Sequence, residues 1–202
     1  MFSALSFILA YLIGAISFSI ILTKLIKKED IRRFGSGNAG ATNTLRVLGK
    51  GPAVAVLLLD ILKGIVSILL AFAFGLSDWG IALTGLAAIV GHVWPIYYGF
   101  RGGKGVATTI GVISMLLLVP GAIAGVLAIL AIVLTRYVSL GSLIFTIATP
   151  IVALILGNYP SSYVIVAGII AVISVWKHRA NISRLISGTE NKIGSGAKKS
   201  VN

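Results

Sequence analysis

The stretch VATTIGVISMLLLVPGAIAGVLAILAIVLT, Val106 to Thr135, decides the fold. It carries no charged residue and reads either as one long helix or as two short ones hinged at Pro120 and Gly121. Charge separates the two readings. With two spans, Lys27, Lys28, Arg32, Arg33, Arg46 and Lys50 after the first apolar run, the pair Arg101 and Lys104, Arg136, and the basic tail from Lys177 all fall on one side of a membrane, and the opposite loops hold Asp78 but no Lys or Arg. One span would place Arg136 and the tail opposite the first loop, against the rule that basic residues collect on the cytoplasmic side.

Further apolar runs lie at 5–25, 52–74, 79–98, 138–157 and 161–176, and the stretch from Val106 to Thr135 itself splits into 106–119 and 121–135. About 20 apolar residues cross a bilayer core. With 57% hydrophobic and 11% charged residues in 202, there is too little polar surface to cover a water-soluble globule. The expected fold is an all-α integral membrane protein of seven transmembrane helices, N-terminus outside and C-terminus cytoplasmic. The first run has no basic residue before it and no small-residue cleavage pattern after it, so it is expected to stay as an anchor. Residues 1–187 read as one membrane domain, and 188–202, rich in Gly, Ser and Lys, as a disordered basic cytoplasmic tail.

The formal charge of +12 follows from this one-sided placement, and no nucleic-acid partner is expected. The chain contains no cysteine, which excludes disulfides, thiolate metal sites and a thiol nucleophile. No metal or cofactor is expected. Within the run 52–74, Asp60 and Lys63 stand i, i+3, either as a mutual ion pair bracing the bundle or as functional groups. Matched broken helices of the inverted-repeat transporter kind are not visible, and the charges other than Asp60 and Lys63 lie at one face, which argues against a transporter.

The first basic loop reads Phe34-Gly35-Ser36-Gly37-Asn38-Ala39-Gly40-Ala41-Thr42-Asn43-Thr44-Leu45-Arg46. Its glycines satisfy G-x-G-x-x-G, but no apolar strand precedes them, so a dinucleotide fold is rejected. The loop supplies backbone amides, hydroxyls at Ser36 and Thr42, carboxamides at Asn38 and Asn43, and the Arg46 guanidinium, the groups that cradle phosphate or carbonyl oxygens.

The second loop, Gly99-Phe100-Arg101-Gly102-Gly103-Lys104-Gly105, runs into the next span, so free amides, a positive helix end and a lysine form an anion site. It is no Walker A loop, because Gly105 follows Lys104 and Tyr98 holds the first glycine position. His92, just before it, is either a base or an interface histidine. Ser139 and Ser142 either bond within their helix or face the site. His178 and Asn181 stand i, i+3 and share a helix face, while Trp176, Lys177 and Arg179 read as interfacial anchors.

The segments GSGNAGATN, GH..P, GGKGVAT, RYVSL.S and WKHR.NI, in this order over nearly the whole chain, resemble the bacterial acyl-phosphate-dependent glycerol-3-phosphate acyltransferases. The resemblance implies a seven-span enzyme of the bacterial inner membrane with its active site at the cytoplasmic face. Its substrates would be acyl phosphate and glycerol 3-phosphate, and its product lysophosphatidic acid. Carried over by motif, the catalytic set is Ser36, Arg46, Lys104, His178 and Asn181. Gly37, Asn38, Thr42, Asn43, Gly102, Gly103, Gly105 and Ser142 make up the substrate- and phosphate-binding set. Ala180 stands where the family's last motif usually has an acid, so that acid's role in positioning the helix end is in doubt here. Acyl-CoA acyltransferases with H-x-x-x-x-D are excluded, since neither His92 nor His178 has the required Asp. For the base, the motifs offer His178, no carboxylate, and otherwise a substrate phosphate oxygen.

Overall fold

The computed structural model describes residues 2–194. Ten α-helices follow in order: α1 (Phe2–Ala15), α2 (Phe18–Lys27), α3 (Ala41–Leu48), α4 (Lys50–Ala73), α5 (Asp78–Val93), α6 (Val106–Leu116), α7 (Leu118–Thr135), α8 (Val138–Leu156), α9 (Ser161–Lys177) and α10 (Arg179–Ile186). Short 3-10 turns sit at Ile31–Arg33 and Ile96–Tyr98.

All seven apolar runs are helical, but they differ in length. Five segments are long and apolar enough to cross a bilayer: Ser3–Lys27, Lys50–Ala73, Asp78–Tyr98, Leu118–Thr135 and Val138–Leu156. A sixth arises if α9 and α10, which meet at a 62° bend, count as one broken span. The remaining run, α6, has 11 residues, about 16 Å of helix at 1.5 Å per residue, roughly half a bilayer core.

The deciding stretch is indeed two helices, but the hinge lies at Leu117 rather than at Pro120 and Gly121. Leu117 leaves helical geometry with φ −138 and ψ 53, and α7 starts at Leu118. Pro120 thus falls in the first turn of α7, where its missing N–H interrupts no helical hydrogen bond.

Lipid offers no hydrophobic drive between helices, so close backbone approach at small residues carries the packing. A side chain at Gly14 would overlap the Ala88 carbonyl, and one at Gly91 the Tyr11 carbonyl, which seats α1 on α5. Gly64 and Gly111 seat α4 on α6 in the same way, against the Thr108 and Ile61 carbonyls. The interior is filled by residues such as Ile68, Ile89, Val93, Val112, Phe145 and Val166. Leu134, Leu154, Ile155 and Val172 point outward and are exposed, as befits a lipid-facing surface.

Candidate active site

The first loop, the second loop, the start of α8 and the α9–α10 bend converge on one cavity of about 780 Å³. Its polar end is lined by Ser36, Asn38, Thr42, Arg46, Lys104, Ser142, His178 and Asn181. From there it extends between apolar walls that include Leu57, Ile110, Gly125, Ile129, Ile132 and Phe145. Residues as far apart in sequence as Ser36 and Ile193, 157 positions, thus face one volume.

The first loop is held by Asn43, which is fully buried. Its Oδ1 accepts from the Ser36 amide at 2.8 Å, and its Nδ2 donates to the Phe34 carbonyl at 3.0 Å and the Ile31 carbonyl at 3.4 Å. All its side-chain polarity goes into shaping the loop, so Asn43 braces the site although it borders the cavity. Gly37 takes φ +70, a left-handed conformation that disfavours any side chain, and lies outside the cavity lining. Thr42 and Arg46 are one turn apart on α3 and both face the cavity. Arg32 ties the two loops together. It clasps Asp30 and donates to the Tyr98 carbonyl at 2.8 Å and the Arg101 carbonyl at 3.1 Å.

The second loop departs from the expected cradle of free amides. The Gly102 amide donates to the Val93 carbonyl at 3.3 Å and the Gly103 amide to the His92 carbonyl at 3.1 Å, so both are spent on the end of α5. Neither glycine lines the cavity. A side chain at Gly102 would overlap the His92 carbonyl, and one at Gly103 the His92 imidazole. What reaches the cavity is Lys104 and Gly105, followed by the first-turn amides of α6, which have no intrahelical acceptor.

Lys104 donates through Nζ to Asn181 Oδ1 in a short contact. Asn181 Nδ2 in turn donates to Glu190 Oε1 at 2.7 Å. Glu190 also accepts from Ser139 Oγ at 3.0 Å and from Arg184 Nε at 2.7 Å. Burial alone would push the Glu190 carboxyl up; the hydrogen bonds from Asn181, Arg184 and Ser139 outweigh that and hold it below the ordinary carboxylate range. Burial, opposed by Glu190 and joined by the positive charges of Arg184, Arg46 and Lys177, lowers Lys104 to about 8. One carboxylate thus stands among three cations, Arg46, Lys104 and Arg184, an arrangement that favours an incoming anion.

Glu190 lies in the segment expected to be a disordered tail and outside the motifs, which offer no carboxylate of their own. Residues 188–194 are described and bring this acid, only 8% exposed, against α10 and α8. The remainder of the expected tail, 195–202, lies outside the described residues. The one available signal was an isolated acid in a basic segment, nine residues beyond Asn181.

His178 is 2% exposed and borders the cavity. Its Nδ1 lies 2.8 Å from the Ser174 carbonyl, which can only accept, so Nδ1 carries the proton and Nε2 of the neutral ring keeps a free lone pair. Ser142 spends its hydroxyl proton on the Val138 carbonyl at 2.9 Å while still bordering the cavity, and it is Ser139 that bonds Glu190. Lys177 lies 5.7 Å from the Trp94 and Trp176 ring centroids, and Arg179 lies 4.7 Å from that of Trp176, a cation–π cluster beside the site.

The family model described as glycerol-3-phosphate acyltransferase matches residues 4–188. A glycerol-3-phosphate acyltransferase of Shouchella clausii is 60% identical over 91% of this chain and 92% of its own. One from Halalkalibacterium halodurans is 57% identical over 92% of each chain. The crystal structure of PlsY, an integral membrane glycerol 3-phosphate acyltransferase, in its glycerol 3-phosphate form superposes with a TM-score of 0.90 at 39% identity, covering 95% of this chain and 96% of that one. Its lysophosphatidic acid form gives a TM-score of 0.86 at 38% identity, covering 95% of both.

Proposed function

The chain belongs to the glycerol-3-phosphate acyltransferase family, and from that premise we propose that it moves a fatty acyl group directly from acyl phosphate to the 1-hydroxyl of glycerol 3-phosphate. The observation that carries this reading is the cavity itself, whose cationic end around Arg46 and Lys104 opens into an apolar extension. Both substrates bear phosphate and one bears a long alkyl chain, so one volume with these two ends suits the pair. Lys104 and the amides that open α6 hold one phosphate, and Arg46 the other. Ser36, Asn38 and Thr42 orient the carbonyl and the attacking hydroxyl. Asn181, bridging Lys104 and Glu190, fixes the ammonium in place.

In the transfer, the substrate hydroxyl oxygen forms the ester bond to the acyl carbon. The bond from that carbon to the bridging phosphate oxygen breaks, and inorganic phosphate leaves with the electron pair. The hydroxyl proton goes to His178 Nε2 or to a substrate phosphate oxygen. Acyl phosphate is a mixed anhydride with a good leaving group, so orientation and charge stabilisation are the main demands, and no covalent acyl-enzyme is needed.

Topology belongs to the same proposal: seven membrane segments in the bacterial inner membrane, N-terminus outside, C-terminus and active site cytoplasmic. The four site-forming segments are also the basic ones, which supports a single cytoplasmic face. The short α6 is accommodated by local thinning of the bilayer. Cysteines introduced at Ser77 and Ser161 should react with an impermeant thiol reagent from outside. Labelling of a cysteine at Ser187 from outside would reverse the orientation.

The activity is tested by offering purified protein labelled glycerol 3-phosphate with acyl phosphate, acyl-CoA or acyl carrier protein thioester in separate reactions. Lysophosphatidic acid should form with acyl phosphate alone. Its formation from either thioester at a comparable rate would overturn the donor assignment.

A further inference from the structure

Beneath the second loop lies a buried cluster of which Asp60 and His92 also border the cavity, and to which the transfer as proposed gives no role. Lys63 is 2.8 Å from Asp60 Oδ1, donates to the Ile16 carbonyl at 2.8 Å, and lies 2.9 Å from His92 Nδ1. All three side chains are buried. An ammonium can only donate, so His92 Nδ1 is the acceptor of the Lys63 hydrogen bond and its ring proton sits on Nε2, while Asp60 Oδ1 meets Lys63 as an ion-pair partner without a hydrogen bond of its own. Asp60 Oδ1 lies 3.7 Å from the same Nδ1. The ion-pair reading of Asp60 and Lys63 is therefore what the structure contains, enlarged by His92.

The far edge of the imidazole abuts Gly103. A side chain there would overlap Nε2, lie 3.0 Å from Cε1, and sit 2.6 Å from the Ala39 carbonyl of the first loop. The contacts thus run without a gap from α4 through His92 to Gly103 and on to the GSGNAG loop, one residue before Lys104. Charged residues within a span are costly, and an apolar trio of similar volume would stabilise the bundle at least as well.

We propose that Asp60, Lys63 and His92 are positioning residues for acyl transfer, a buried unit that fixes the Lys104 loop against the first loop through the His92 ring. The proposal rests on the reading of Lys104 as a phosphate contact. Lys63 fixes the ring's tilt by occupying Nδ1. The ring edge then sets how far Gly103, and with it Lys104, stands from Ala39.

His92→Asn separates positioning from folding. The shorter amide oxygen keeps an acceptor at the Nδ1 position for Lys63 but removes the edge that meets Gly103. The variant should keep a melting temperature close to wild type in detergent and lose on the order of tenfold in kcat. In a Lys104→Met background the same substitution should cost less than about twofold, because the loop it holds no longer carries its ammonium. Equal losses in both backgrounds, or wild-type turnover by His92→Asn, would overturn the proposal while leaving the Lys104 reading intact. Wild-type turnover by Lys104→Met alone would overturn that reading and this proposal with it. If His92→Asn does not fold, His92→Gln, whose longer amide reaches the Gly103 edge but leaves Lys63 without its acceptor at Nδ1, tests the other half of the unit in the same two backgrounds: a loss confined to the Lys104 background is expected, and wild-type turnover or equal losses in both would overturn the proposal.

Discussion

In the loop at 34–40, Gly37 adopts φ +70 and a side chain there would clear its nearest neighbour, the Arg32 carbonyl, by 3.4 Å. In the loop at 99–105, Gly103 is instead pinned between the His92 ring and the Ala39 carbonyl, with its amide already spent. At Gly37 the first loop owes its shape to torsion, whereas at Gly35 it is also closed against the Asn43 brace, and it meets the cavity through Ser36, Asn38 and Thr42. The second adds to left-handed turns at Gly99 and Gly105 a steric fit on the end of α5 at Gly102 and Gly103, and meets the cavity through Lys104 and Gly105. Glycines that look interchangeable in phosphate-cradle loops, such as Gly37 and Gly103, can therefore answer to two different physical demands, and each predicts a different response to added bulk.

The largest effect is expected at the pinned position. Gly103→Ala must displace either the imidazole or the first loop, and a shift near 1 Å at a reacting group costs on the order of a hundredfold. Initial rates on protein of wild-type size-exclusion profile should show at least that loss. Activity within about threefold of wild type would mean that the loop is compliant.

Lys104→Met should come next. Loss of a charge-assisted contact that strengthens in the transition state removes about 3 kcal/mol, or on the order of a hundredfold in rate, in a normally inserted protein. The same lysine predicts a pH response. Its value is lowered to about 8, so the ammonium is present below that pH and is lost as pH rises through it. Turnover should fall above about pH 8, and Lys104→Arg should recover part of the rate while removing that alkaline limb, since a guanidinium stays charged. Persistence of the limb in Lys104→Arg would assign it to another group.

The smallest effect is expected at the torsion-governed glycine. Gly37→Ala adds roughly 1 kcal/mol of left-handed strain without a clash, and should lower the melting temperature by a few degrees with turnover within about threefold. A hundredfold loss there would mean that the two glycines are equally constrained.

Seven apolar runs, their helical character and the division of Val106 to Thr135 were legible locally, because periodicity, span length and basic residues at span ends are properties of neighbours in the chain. The hinge was misplaced by three residues: proline reads as a breaker, yet in the first turn of α7 it breaks nothing. Most of the candidate site was also legible, since hydroxyls, carboxamides and cations crowd into short motifs. Glu190 was not, because an acid in a polar, glycine-rich segment has no local mark that separates a docked carboxylate from a solvated one.

Composition and charge placement are fixed before folding, so the bilayer as solvent and the crowding of phosphate-compatible groups into short motifs at span ends could be read from the chain alone. Only the tertiary structure decided which of those groups remain available. Whether the amides of Gly102 and Gly103 are free depends on the carbonyls at the end of α5, and whether Asn181 faces substrate alone depends on Lys104, 77 residues away, and on Glu190. A backbone donor or a carboxamide is satisfied by whatever the packed helices bring within about 3 Å of it, and that partner is set by the bundle rather than by the motif.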